Sequence, residues 1–231
     1  MLNTIHATKI GMTQAWSKTG KRLAVTKCKV GANMVVGQQA TQAVEKSHQG
    51  NELKACTIFE IGYGAKKIAN TPKPLRSRLE KSGFSVGVRS VTGMRQYEGE
   101  DFGLKVGDNV TAGQVLAVGD VVSVQGESKG RGFAGAVKRH GFKGGPKTHG
   151  QSDRQRAVGA IGCRTTPGRV FPGKRMPGHY GNETQSVSGL VVLYIDQTQN
   201  EVWLSGPVPG FNSSSIKITK TGEKRSIELN L

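Results

Sequence analysis

Residues 126–182 constrain this chain more than any other part of it. The stretch opens Gly-Glu-Ser-Lys-Gly-Arg-Gly-Phe-Ala-Gly and closes Pro-Gly-Lys-Arg-Met-Pro-Gly-His-Tyr-Gly-Asn. It holds 14 of the 33 glycines and 12 of the 33 Lys/Arg residues, against two acids, Glu127 and Asp153. Its net charge is +10 of the chain's +17. Large apolar residues are few and follow no period of 2 or 3.6, so the segment cannot bury a core of its own. A structureless run this long is rare inside a compact domain. It reads as a segment that folds against a polyanion.

The whole chain points the same way. At 231 residues it can hold one large domain or two small ones. A pI near 10.1 favours nucleic acid over other partners. A membrane is a weaker partner: the longest apolar run, Leu190 to Ile195, is far too short to span one. The first ten residues carry neither a signal-peptide core nor a cleavage motif. Three widely separated cysteines, Cys28, Cys56 and Cys163, argue against a disulfide framework and suit a reducing compartment. Aromatics make up only 6% of the chain, so phosphate contacts by Arg and Lys are expected to dominate over base stacking.

Outside the basic segment the chain reads as β. Leu23 to Val30 reads as a strand, alternating apolar and polar from Val25 onward, and Ala55 to Tyr63 is a second candidate ended by Gly62 and Gly64. Val-Gly-Asp-Asn-Val at 106–110 and Val-Gly-Asp-Val-Val at 118–122 echo each other, each a turn feeding a strand. Ser186 to Ile195 and Glu201 to Ser205 flank the polar loop Asp196 to Asn200, which predicts a hairpin. Ile216 to Thr219 adds a last strand. Helix is expected at Pro74 to Ser82, with Gly83 past its end, and for two turns at Phe133 to His140, stopped by Gly141. Strands on both sides of the basic segment imply one β domain that extrudes it as a long loop.

Several catalytic motifs fail on inspection. Gly130 to Gly135 fits Gly-x-Gly-x-x-Gly after a strand, but a dinucleotide fold needs an unbroken helix and an acid about twenty residues on. Gly141 breaks the helix, and Asp153 lies among cations. In Gly141 to Thr148, Pro146 stands where a phosphate loop needs its second glycine. His140, His149, His179 and Cys163 lack the close pairing of zinc ligands, so no metal site is expected. No nucleophile-base arrangement emerges, and Asp153 is expected to hold Arg154 or Arg156.

The candidate binding residues are therefore the loop's cations and rings. On the outgoing limb these are Lys129, Arg131, Lys138, Arg139, His140, Lys143, Lys147 and His149, followed by Arg154 and Arg156. On the return side they are Arg164, Arg169, Lys174, Arg175, His179 and Tyr180. Arg outnumbers Lys seven to five, which favours bidentate phosphate contacts. The glycines permit positive φ and close backbone approach. Pro167, Pro172 and Pro177 stiffen the return limb. A solvated linker would have no use for Phe133, Phe142, Val158, Ile161, Val170 and Phe171 spaced through it.

Ser128 to Gly135, Lys138-Arg139 and Thr148-His149-Gly150 closely resemble the ribosomal protein L-three family of the large subunit, bacterial type. Thr166-Pro167-Gly168-Arg169-Val170-Phe171 and Gly173 to Gly178 continue the likeness in order. So do Lys9-Ile10-Gly11-Met12-Thr13 and Gly206-Pro207-Val208-Pro209-Gly210. The resemblance implies a mainly β fold: a closed six-stranded translation-type β-barrel, a small inserted α/β lobe and the long glycine- and arginine-rich loop. It assigns 1–63, 105–125 and 183–231 to the barrel with its terminal extensions, 64–104 to the lobe and 126–182 to the loop. It implies a cytoplasmic, non-enzymatic constituent of the large ribosomal subunit without cofactor or small-molecule substrate. Its partners would be large-subunit rRNA and neighbouring large-subunit proteins. The protein would bind rRNA early in assembly and send the loop toward the peptidyl transferase centre. The tip nearest that centre would be Gly162, Cys163, Arg164, Thr165 and Thr166. Many bacterial members carry a methylatable Gln where this chain has Thr165, so that modification is expected to be absent.

Overall fold

The computed structural model describes residues 3–47, 50–97, 103–222 and 229–230. Strands dominate: β1 (Thr4–Ser17), β2 (Arg22–Lys29), β3 (Asn33–Ser47), β4 (Gly50–Lys67), then α1 (Lys73–Lys81), β5 (Val86–Tyr97) and the short α2 (Ala112–Val115). After these come β6 (Val121–Glu127), the two-residue β7 (Phe133–Ala134), α3 (Ala136–His140), β8 (Gly178–His179), β9 (Thr184–Asp196), β10 (Glu201–Ser205), β11 (Ser215–Gly222) and β12 (Leu229–Asn230). The mainly β expectation holds. Contacts divide the chain into two compact units, Met1–Glu127 with Gln185–Leu231, and Ser128–Thr184.

The main sheet of the first unit runs β11-β6-β9-β10-β2-β1-β12, and β11 also pairs with β1. Hydrogen bonding therefore returns on itself through six strands, with β12 added at Trp16 and Ser17. Alternation builds the interior: Ile5 and Ala7, Cys28, Val122 and Val124, Val202 and Leu204, Ile216 and Ile218 are all buried in one cluster. β9 buries four residues in a row, Leu190 to Leu193, because Val191 and Leu193 join a second cluster with Ala15 and Val25 on the opposite face. Sequence reading locates β2, the β9–β10 hairpin and β11 to within a few residues. In the hairpin turn, Asp196 Oδ1 accepts from the Thr198 hydroxyl at 2.6 Å. That bond, with the Gln199 and Thr198 amides, holds the carboxyl below its usual range.

A second sheet, β3-β4-β5, uses residues expected elsewhere. Ala55 to Tyr63, read as a strand of the main domain, is the middle of this sheet, and its register with β3 starts at Asn33↔Tyr63. The sheets thus divide at residue 33 rather than 64. A strand's alternation reports that it has a buried face, not which neighbour bonds its backbone. One side of the sheet sends Val35, Phe59, Ile61 and Met94 into the main cluster. The other receives α1 through Leu79, packed with Val36 and Val88. The helix begins and ends one residue earlier than expected, at Lys73 and Lys81, with Gly83 past its end at φ +80°. Arg78 pairs with Glu60 to fasten it.

The two Val-Gly-Asp echoes form the same turn. Asp108 accepts from the Lys105 amide, and Asp120 from the Ala117 amide, each at 2.8 Å, with Gly107 and Gly119 at positive φ. Only the second feeds a strand. The first supplies an isolated bridge, Met34↔Asn109, and buries Val110. Asp120 is fully buried and pairs with Lys220 Nζ at 2.8 Å.

Candidate nucleic-acid interface

The second unit, 128–184, has two limbs that zip together at their ends. Ser128 N–H donates to Glu183 O at 2.9 Å, Arg131 N–H to Tyr180 O at 2.9 Å, and Tyr180 N–H to Gly132 O at 3.0 Å. The zip continues into an antiparallel ribbon of β7 and β8, with Phe133 opposite His179 and Ala134 opposite Gly178. Glycine is required where the limbs touch. Gly181 has φ +73°, and a Cβ there would lie 2.2 Å from Lys129 O. Farther along, Gly145 N–H donates to Gln155 O, and a Cβ on Gly144 would lie 2.1 Å from the same oxygen. Some loop glycines therefore serve approach within the loop itself.

α3 is shorter than expected, because Phe133 and Ala134 are taken by the ribbon. Gly141 ends it in the left-handed region, φ +71°. Its last turn carries the basic residues Lys138, Arg139 and His140, of the kind that favours a helix C-terminus. Arg139 Nη1 donates to Met176 O at 2.8 Å, and His140 Nε2 lies 3.0 Å from the same carbonyl. These two candidate residues tie the helix to the return limb. Arg131 stacks its guanidinium 4.8 Å from the Tyr180 ring centre, a cation–π pair.

The remaining candidates face solvent. Lys129, Arg131, Lys138, Lys143, Lys147, His149, Arg154, Arg156, Arg164, Arg169, Lys174, Arg175 and His179 are exposed, and Arg139, His140 and Tyr180 are half-buried. Gly162, Cys163, Arg164, Thr165 and Thr166, the residues expected at the tip, are exposed as well. There Gly168 has φ +67°, and a Cβ on it would lie 3.2 Å from Thr165 O. Among the described residues, Asp153 makes no ion pair with Arg154 or Arg156, which corrects that expectation. The described ion pairs lie elsewhere, at Arg76–Glu80, Arg78–Glu60 and Lys220–Asp120. With two acids for twelve cations, the loop cannot neutralise itself. Only Ala134 and Ala136 of the unit are buried, so order comes from backbone pairing and not from a core.

Cys28 and Cys163 are free thiols. Burial pushes the Cys28 thiol up to about 12, partly offset by Lys9, and leaves it an inert core residue. Cys163 is exposed. Sequence reading missed Lys9 as a structural group. It lies buried, with Nζ donating to Val208 O at 2.8 Å and Gly210 O at 3.0 Å. The motifs around Lys9 and Val208 were visible in the sequence, but not that one grips the other.

A mainly β protein bearing a basic, backbone-zipped glycine loop is the class that fold and loop define. The profile of "Ribosomal protein L3" matches residues 100–223. "Large ribosomal subunit protein uL3" of Herpetosiphon aurantiacus is 39% identical over 224 residues, 96% of this chain and 98% of that one. Proteins of the same name from Dehalococcoides mccartyi and Persephonella marina are each 39% identical, over 96% and 92% of this chain and 100% and 87% of theirs. The chain belongs to the ribosomal protein L3 family.

Proposed function

We propose that this chain is a structural constituent of the large ribosomal subunit, not an enzyme, that binds large-subunit rRNA through residues 128–184. The observation that carries the reading is the loop's charge: twelve Lys/Arg against Asp153 and Glu183, on an exposed, backbone-paired scaffold. Cations without acid partners repel one another, so the loop gains stability when phosphates enter between them. Family membership supports large-subunit rRNA as that polyanion. The six-strand pairing circuit supports a closed translation-type β-barrel as the loop's anchor. In this reading the protein joins rRNA early in assembly, beside neighbouring large-subunit proteins in the cytoplasmic ribosome. Gly162 to Thr166 reach toward the peptidyl transferase centre.

Salt titration of the full chain on large-subunit rRNA tests this directly. Neutralising six to ten phosphates should cost on the order of 10³–10⁵ in affinity between about 50 and 200 mM salt. Binding that barely responds to salt over that range would exclude the phosphate mechanism.

A further inference from the structure

The β7–β8 ribbon has two unlike faces. On one, Ala134 is 4% exposed, and Gly178 lies against the guanidinium of Arg139, so close that a Cβ on Gly178 would sit 2.8 Å from Nη1. Arg139 is itself fixed by Met176 O. That face is closed over Ala134 and crowded by Arg139 at Gly178. Residues paired directly across two strands share a face, so Phe133 and His179 together occupy the other. That face is bare. Phe133 is 75% exposed, the highest value among the exposed large apolar side chains of the described residues, and His179 is exposed beside it. A single exposed apolar residue is ordinary on a mobile surface. Phe133 is different, because ladder bonds and the Arg131–Tyr180 and Tyr180–Gly132 bonds hold its backbone on both sides.

The surroundings decide what would cover it. Lys129, Arg131 and Lys138 stand within a few residues in sequence, and the unit is strongly positive. Cores of protein–protein interfaces are depleted of charge. A partner that offers a flat apolar face together with anionic groups is a nucleic acid: a base stacks on the ring and its phosphates meet the cations. Resting on the rRNA reading above, we propose that Phe133, with His179 beside it, is a stacking platform for an unpaired nucleobase of the bound RNA. Arg131, held over Tyr180, faces the phosphates that flank that base. Stacking thus acts at one defined place in an interface otherwise built on charge.

The test compares full-length parent, Phe133→Leu, Phe133→Tyr and Lys138→Gln on large-subunit rRNA across a salt series. Loss of one stacked base should weaken Phe133→Leu about 5- to 150-fold while leaving the slope of log affinity against log salt unchanged. Phe133→Tyr, which keeps a ring, should restore most of that loss. Lys138→Gln should instead flatten the slope by about one unit. Phe133→Leu binding like the parent, or Phe133→Tyr as weak as Leu, overturns the platform. So does a flattened slope in Phe133→Leu. Amide exchange at Arg131 and Tyr180 reports any loosening of the ribbon. If Leu loosens it, ultraviolet crosslinking of the parent decides: an adduct between Phe133 and an unpaired nucleotide supports stacking, and its absence rejects it. Failure of the parent itself to bind would sink the rRNA reading, a separate result.

Discussion

Lys9 carries its charge into the main sheet, where the carbonyls of Val208 and Gly210 receive it. A bulge between Lys9 and Gly11 shifts the β1–β2 register there. The residue after it, Ile10, is 41% exposed. Around Gly210, φ +90°, a Cβ would strike Ser214 Oγ and approach Glu127 O, so this turn, the ammonium and the end of β6 form one tight junction. Lys9→Met keeps the length of the stem but strands two buried acceptors. It should cost about 2–4 kcal/mol of stability in urea unfolding, and a variant as stable as the parent would show that the ammonium is not what holds this turn. The motifs at 9–13 and 206–210 are plain in the sequence. Their meeting is not, because nearly two hundred residues separate them and no local pattern encodes a bond to a backbone carbonyl.

Elements tell a similar story in the loop. Gly181 lets the return limb cross Lys129 O, and no other residue fits at φ +73° in that space. Gly181→Ala should open the Ser128–Glu183 end of the zip, seen as faster amide exchange at Arg131 and Tyr180. Global stability should change little, since the unit buries only two alanines. Unchanged exchange would mean that the limbs are held by something other than their pairing. The helix at 73–81 was legible because Pro74 and Gly83 punctuate it. The strands β3 and β5 were not expected as such. β7 and β8 are two residues each, too short for any periodicity to register. For the same reason Phe133 was readable as an apolar residue without a core, while its bare face depends on the His179 register.

At the scale of the whole molecule, His6 joins the two sheets of the first unit. It lies on β1, with Nε2 2.6 Å from the Thr92 hydroxyl of β5 and its ring stacked 5.5 Å from Tyr63 of β4. Burial, and then the charge of Lys217 paired opposite it, lower its pKa from 6.5 to about 4. The folded state thus resists a proton that the unfolded chain accepts. The neutral imidazole's contribution is complete above pH 6.5 and is lost as pH falls toward 4. The melting temperature should therefore drop between pH 6.5 and 5, where ordinary carboxylates remain ionised. His6→Gln should flatten that drop, and an equal slope in both proteins would place the titration elsewhere. Sequence alone determined what is local or additive: the β character, the helix punctuation, and a loop too basic and too glycine-rich to stand as a core. Collinear motifs added the family. Tertiary structure alone decided which strands share a sheet, that Lys9 and His6 are interior, that Arg139 and His140 secure the loop's limbs, and which face of the ribbon is bare. Those are choices of partner between distant residues, set by backbone bonding and packing across the fold, and alternation along a chain carries no record of them.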